Sequence, residues 1–392
     1  MADGQSPPRI EPIRVRPTLA GWAFLAIAAV VGIAAVRSGA PLTYILFGGM
    51  TGGIVFSAVL ARRMVGGLRL RRAAPGRAWQ NQNVHLGYFL RNVRRRTPCL
   101  GVKVEELAPI GIDSVAGYHM HVPARSACRA GGRFSARRRG RIALDAVRIR
   151  TVFPFGLVSV SRVVRMPASL VIWPARGSLK RQLLRRGTVE SSSAAPSGQA
   201  GGQDEFFGLR EYRPGDNPRW IHWRKSAGRT LPVLREMTRP LPELLWVIVD
   251  TYWQDLSSLG QQNHEEMLRF AATLIDRAFA RGYQVGAALA YAGGPAVFPP
   301  AAGRGQRRKL LDALADVDAN RTVRVEDVLA EIRPGRVAQA QMIVVSADAN
   351  RLGGRLAALR AACRHLQVFD ARHLADVFVD DPLTQAQKPQ CR

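Results

Sequence analysis

The sequence predicts a multidomain chain built from an N-terminal transmembrane α-helical hairpin, an antiparallel β-sandwich and a doubly wound α/β domain. Three observations predict it. Two uncharged apolar runs lie near the N-terminus, short alternating segments fill residues 65–174, and strand-like runs alternate with helical periodicity after Pro240. The boundaries that follow are a cytoplasmic leader at 1–17, the hairpin at 18–61, the sandwich at 64–175, a basic and Ser/Gly-rich linker at 176–203, a motif segment at 204–239, the α/β domain at 240–380 and a tail at 381–392.

The hairpin rests on "TLAGWAFLAIAAVVGIAAV" from Thr18 and "LTYILFGGMTGGIVFSAVLA" from Leu42. Each run is long enough to cross hydrocarbon and neither shows a polar face, which argues against helices of a soluble core. Arg9, Arg14 and Arg16 precede the first run, and Arg62, Arg63, Arg69, Arg71 and Arg72 follow the second, whereas the connecting loop carries only Arg37. The positive-inside rule then expects both termini in the cytoplasm, with about 330 residues facing inward after the hairpin. Gly48 with Gly52, and Gly49 with Gly53, form small-xxx-small pairs that would let the second helix pack on the first or on another copy.

The sandwich is read from "VHLGYFLRNV", "GVKVEEL", "YHMHVPA", "VRIRTV" and "LVSVSRVV", apolar/polar alternations separated by Gly, Pro and Arg clusters. In the last region "LLWVIVD" is a continuous apolar run of the buried parallel kind, and "HEEMLRFAATLIDRAFARG" has helical periodicity with a Gly stop. "YQVGAALA", "AQMIVVSAD" and "LQVFDA" supply further strands. Strands alternating with helices indicate a wound α/β sheet. Neither a G-x-x-x-x-G-K-[ST] loop nor a G-x-G-x-x-G turn follows a strand, so the sequence gives no support for a nucleotide site, and no cofactor is expected.

Composition bounds the function classes. With 47% apolar residues the 392-residue chain buries real cores and is no disordered protein. Its 57 basic against 29 acidic residues, a formal +28, fit nucleic acid, an anionic membrane surface or an acidic partner. Cys99, Cys128, Cys363 and Cys391 are too scattered for a zinc or disulfide framework, which suits a reducing compartment.

The densest chemistry lies in "EYRPGDNPRWIHW", Glu211 to Trp223. Pro214-Gly215 fits a type II turn. Asn217 as N-cap, Pro218 at the first helical position and Gly228 as stop predict a helix over 218–227. On that helix Trp220 and Trp223 would share a buried face, while Arg219 and His222 share another, flanked by an ionic cluster of Glu211, Arg213, Asp216, Arg224 and Lys225. A hydrolase centred on Glu211, Asp216 and His222 would need a nucleophile or a bound water, and neither a G-x-S-x-G elbow nor an H-E-x-x-H helix occurs there. A structural clasp with a docking surface is the expected role, carried by Arg210, Glu211, Tyr212, Arg213, Pro214, Gly215, Asp216, Pro218, Arg219, Trp220, His222, Trp223 and Lys225.

"GLREYRPGDNPRWIHWRKSA", Gly208 to Ala227, followed by "VLRE" at Val233 to Glu236, resembles the signature of the domain of unknown function 58 family. "RRRGRIALDAVRIRTVFPFGLVSVS", Arg137 to Ser161, is similar to that family's second signature. The resemblance implies a membrane-anchored bacterial protein with a von Willebrand factor A-like C-terminal domain, often encoded beside a MoxR-type AAA+ ATPase and transglutaminase-like proteins. Such domains often bind a divalent metal through D-x-S-x-S after the first strand. Here Asp250 matches the carboxylate, but Tyr252 and Gln254 stand at the hydroxyl positions, so no metal is expected and Asp250 reads as a cap of the following turn. The resulting expectation is a membrane-anchored adaptor for protein partners, a MoxR-type ATPase among them, in assembly or maturation of protein complexes. The rival expectations are a membrane-tethered nucleic-acid binder and the hydrolase.

Overall fold

The structure, a computed structural model, describes residues 9–73, 76–107, 112–180, 182–184, 199–213, 216–239, 243–253, 257–291, 294–319, 322–332, 340–347 and 353–380. The chain divides into two compact units. The first runs to Gly177 and takes in Leu311–Val317, and the second covers Ser178–Leu310 and Asp318–Val379. Two apolar N-terminal helices and mixed sheets with helices make a multidomain layout.

In the first unit, strands β1 (Arg9–Ile10) and β2 (Arg14–Pro17) lead into helices α1 (Leu19–Ser38) and α2 (Pro41–Gly66). Both helices are long and apolar enough to cross a membrane. Thr18 starts α1 by accepting the Gly21 amide on its hydroxyl, and Gly39 ends it at φ 63°, the left-handed value that favours glycine. The hairpin of the sequence reading ends at Ala61, but α2 continues for five more residues, to Gly66. Its last turns are held by packing: Ala61 and Val65 are buried with Val158 and Val160, and Met64 joins the main core of the unit.

The glycine pairs of α2 do not pack on α1. A Cβ added at Gly48, Gly49, Gly52 or Gly53 would meet nothing within 4 Å, whereas the ring of Phe47 on the same helix lies against Gly32 of α1. Gly21 is the close approach. A Cβ there would lie 1.9 Å from the Leu157 carbonyl oxygen, so only glycine lets the first turn of α1 sit against that backbone. Gly21→Ala is therefore expected to cost at least about 1–3 kcal/mol through overpacking. Gly48→Ala, facing open space, should move stability by no more than about 0.5 kcal/mol. Denaturation of full-length protein in detergent compares the two.

After the helices come β3 (Leu68–Ala73), β4 (Arg77–Trp79), β5 (Val84–Asn92), β6 (Cys99–Leu107), β7 (Ile112–Val115), β8 (Gly117–Val122), β9 (Ala127–Ala136), β10 (Gly140–Thr151) and β11 (Val158–Trp173). One sheet has the order β1-β11-β10-β6-β8, with β2 and β4 also on β11, and the other the order β3-β5-β9-β7. The pairings are antiparallel with one exception to the sequence reading, the parallel pair of β4 with β11. Inward residues of both sheets share one core, Leu86, Tyr88, Leu90 and Phe134 from one and Val102, Val104, Ile149 and Leu170 from the other. A charged cluster crosses that core. Arg72 on β3 donates to Glu106 on β6 and to the carbonyls of Leu144 (3.0 Å) and Met166 (2.6 Å), while Tyr88 donates to the second Glu106 oxygen at 2.7 Å.

After Trp173 the chain forms β12 (Gly177–Leu179), β13 (Gln199–Glu211), the one-turn helix α3 (Trp223–Ser226), β14 (Val233–Arg239), β15 (Leu244–Val249), α4 (Ser258–Ala280), β16 (Gln284–Tyr291), β17 (Gly294–Ala301), α5 (Arg304–Asp316), α6 (Val325–Ala330), β18 (Gln341–Ser346), α7 (Gly353–Ala362), β19 (His365–Asp370) and β20 (Phe378–Asp380), which belong to the second unit apart from Gly177, the part of α5 from Leu311 and Asp380. The main sheet of that unit has the order β17-β16-β15-β18-β19, parallel except for β17 on the edge. Alternate residues of the buried strands face opposite helices. Trp246, Ile248, Met342 and Val344 pack with Val328 and Leu329 of α6 and Leu359 of α7. Helix α4, capped by Ser257, lies against β15 and β16, and its Phe270 meets Phe369 edge-on.

Part of the region read as a loose linker is packed. Leu183 and Leu184 are buried, Gln341 donates to the Leu183 carbonyl at 2.7 Å, and Arg281 donates to that of Leu184 at 3.0 Å. Residues 185–198 of that linker and the tail 381–392 lie outside the described residues.

Candidate functional site

The motif forms the tip of a two-stranded ribbon. Strands β13 and β14 pair antiparallel with Arg210 opposite Leu234 and Glu211 opposite Val233, and the Tyr212 amide closes the tip on the Pro232 carbonyl at 2.8 Å. Pro214 and Gly215, read as a type II turn, lie outside the described residues. Across them the Asp216 amide donates to the Arg213 carbonyl at 3.0 Å.

Asp216 is the electrostatic centre of the tip. Arg210 grips its carboxylate with both Nη atoms at 2.7 Å, and the Arg213 amide donates to Oδ2 at 2.9 Å. The Arg210 fork, aided by that amide, pulls the Asp216 pKa down to about 2. A depressed acid stabilises the fold above its unfolded pKa. Whatever order the fork gives the tip is thus complete above about pH 4 and lost as pH falls through about 2. Titration by carboxyl NMR should place Asp216 near 2 in the wild type. In Arg210→Gln it should rise toward the ordinary aspartate range near 3.9, held short of it by the Arg213 amide that remains, and an unmoved value would mean that Arg210 does not hold it.

The predicted helix over 218–227 is broken in two. Asn217 Oδ1 accepts the Arg219 amide at 3.1 Å, and Pro218 opens a 3-10 turn, Pro218–Trp220, as their positions dictate. At Ile221 the backbone turns extended (φ −65°, ψ 129°) and forms a bridge with Leu234, and the next amide, of His222, donates to Val233 at 2.7 Å. Pairing with β14 overrides helix propensity there, and α3 must start afresh. His222 caps it, Nδ1 accepting the Lys225 amide at 3.3 Å, and Gly228 at φ 84° follows its end. The break destroys the expected faces. Trp220 is half-buried and Trp223 is 68% exposed, so the two tryptophans form no common buried anchor. Arg213, Arg219, Arg224, Lys225 and Arg229 are exposed as well, with Glu211 their exposed acid; Tyr212 and His222 are half-buried.

A general base needs a pKa near the working pH, whereas Asp216 is held strongly ionised and His222 Nδ1 is spent on a backbone cap. The Ser226 hydroxyl donates to the His222 carbonyl at 3.1 Å and accepts the Val233 amide at 2.8 Å.

Asp250 ends β15 as a cap. Its Oδ1 accepts the Tyr252 amide at 3.1 Å, an Asx turn, and its Oδ2 accepts the Ser346 hydroxyl at 2.7 Å from the end of β18. Tyr252 is buried at a position where a metal-binding loop would present a hydroxyl, and Gln254 lies outside the described residues. Among the described residues no group of three or more His, Cys, Asp or Glu side chains converges as a metal site would require. The Asp250–Ser346 pairing went unread in the sequence, although each residue stands at the carboxyl end of an apolar run.

The ribbon and the sheet after it carry the comparison with known families. Residues 208–382 match the family described as Protein of unknown function DUF58. The match begins at Gly208, where the quoted signature begins, and includes the ribbon tip, Asp250 and the strands from β15 to β20. The stretch read as a second signature, Arg137–Ser161, lies outside the DUF58 match. No curated protein matches the chain.

Proposed function

We propose that this chain is a membrane-anchored adaptor whose DUF58 ribbon tip docks a protein partner with an acidic, partly apolar surface. The observation that carries the proposal is Trp223, 68% exposed among Arg219, Arg224, Lys225 and Arg229. Exposed tryptophan and arginine together are the residue types that dominate interface energies, and a cationic rim raises the on-rate for an acidic partner. In this reading α1 and α2 span the inner membrane with both termini cytoplasmic, and the two sheets of the first unit are a β-sandwich. The parallel sheet with helices on both faces is a von Willebrand factor A-like domain without its metal. A MoxR-type AAA+ ATPase, working in assembly or maturation of protein complexes, is the partner suggested by the family resemblance.

Two measurements test it. Single-cysteine labelling in intact cells, in a background without the native cysteines, should modify Gly39→Cys but leave Gln390→Cys protected; the reverse pattern sinks the topology. Full-length protein purified from native membranes should carry the ATPase, and Arg224→Glu with Lys225→Glu should release it. Retention of the ATPase by that charge reversal moves the docking surface elsewhere.

A further inference from the structure

The first unit holds a basic cavity that none of the readings above uses. It measures about 280 Å³, below the roughly 300–1,000 Å³ of sites for drug-sized ligands, and its lining includes Arg14, Arg16, Arg148, Arg150, Ser159 and Ser161. Three neighbouring strands build it. Arg14 and Arg16 of β2 stand opposite Ser161 and Ser159 of β11, and Arg150 of β10 stands opposite Ser161 on the other side. Side chains two apart on a strand share a face, so the serines form a lane with an arginine row on each flank. With strands about 4.8 Å apart, the rows stand roughly 10 Å from each other, leaving room between them for one tetrahedral anion.

Charge is left over in this lane. Two arginine rows that face each other across one strand repel unless something between them neutralises the charge. Glu11 lies 3.0 Å from Arg165 and 3.9 Å from Arg14, and Glu105 lies 2.6 Å from Lys103 and 3.9 Å from Arg148. Among the described residues Arg16 and Arg150 have no carboxylate within 4 Å. Arg150 Nε instead donates to the Ser159 hydroxyl at 2.7 Å, which leaves the Ser159 proton free to donate into the cavity.

The position of the lane tells which anion reaches it. Arg16 is two residues before Thr18, whose hydroxyl caps α1 and also donates to the Gly156 carbonyl at 2.6 Å. At about 3.4 Å per residue Arg16 lies roughly 7 Å from the start of the helix, within the polar layer of a bilayer that α1 crosses. Phe155, on the turn that Thr18 holds, is 59% exposed, and Trp22 on the first turn of α1 is exposed too, aromatics of the kind that sit at headgroup level. We infer that Arg14, Arg16, Arg148 and Arg150 bind the phosphate of an anionic phospholipid headgroup over the Ser159–Ser161 lane. The inference rests on the reading that α1 and α2 span the membrane.

Full-length protein in neutral maltoside detergent is titrated with dioleoyl phosphatidylglycerol in mixed micelles, with dioleoyl phosphatidylcholine and with inorganic phosphate, and binding is read by thermal shift. Phosphatidylglycerol should bind saturably and phosphatidylcholine should not. Arg16→Gln with Arg150→Gln should weaken the phosphatidylglycerol response about 10- to 30-fold, while the double lysine variant keeps most of it. Arg14→Gln, on the exposed strand β2, gives a smaller loss in the same direction and serves if the double variant fails to fold. Phosphatidylglycerol binding untouched by these substitutions overturns the site. Inorganic phosphate binding as tightly as the lipid, and displacing it, overturns the lipid assignment. Carbonate washing of native membranes tests the spanning helices separately: release of the protein with arginine-dependent phosphatidylglycerol binding intact would refute the spanning reading and leave the site standing.

Discussion

Arg72→Met alone is expected to destabilise the first unit by about 3–5 kcal/mol, the usual cost of stranding one member of a buried ion pair. The side chains of Arg72 and Glu106 are only 3% and 2% exposed. Without the guanidinium, the Glu106 carboxylate keeps only Tyr88 of the partners described here, and the carbonyls of Leu144 and Met166 lose their donor. Burial already pushes the Glu106 pKa upward, with Arg72 and Tyr88 drawing it back down. In the variant that pKa should rise further. A raised acid contributes stability that is complete below its unfolded pKa and lost as pH climbs through the folded one, so the variant should regain stability on acidification. Replacing the set together, Arg72→Met with Glu106→Leu and Tyr88→Phe, should recover most of the loss, since apolar substitutes for a buried pair are often neutral. Chemical denaturation at pH 5 and pH 8 reads both effects. If Arg72→Met unfolds where the wild type does, the cluster is not what ties the two sheets.

That cluster was legible in the alternation of its strands. Glu106 has the parity of Val102 and Val104, and Arg72 that of Leu68 and Leu70, so both charges point where the apolar residues point. The same reading would have found the basic lane, because "RVRP" and "RIRT" each repeat arginine at a spacing of two. Periodicity also located the two apolar helices and the buried run of β15, since both patterns are local. Asn217, Pro218 and Gly228 were likewise read correctly as boundaries. The failure lies between them, at Ile221. Its extended backbone is imposed by Leu234 thirteen residues on, and no local propensity reports a partner at that distance.

The break at Ile221 reverses the expected cost of two tryptophan substitutions. A continuous helix would bury Trp220 and Trp223 together and make each worth about 3–5 kcal/mol to the fold. The broken one leaves Trp223 in solvent, so Trp223→Ala should change stability by no more than about 0.5 kcal/mol. The large cost moves to Trp246, 1% exposed on β15 and packed with Ala288, Ala290, Leu329 and Met342. Trp246→Ala should cost about 3–5 kcal/mol, as deletion of a buried indole leaves a cavity that strands on both sides keep open. The two variants separate folding from docking. Trp223→Ala should melt like the wild type yet lose its co-purifying partner, whereas Trp246→Ala should lose the partner only to the extent that it unfolds. Denaturant melts beside co-purification from membranes decide the matter. A Trp223→Ala protein that melts early would restore the tryptophan to a buried clasp, and one that melts normally and keeps its partner would remove the tip from the interface.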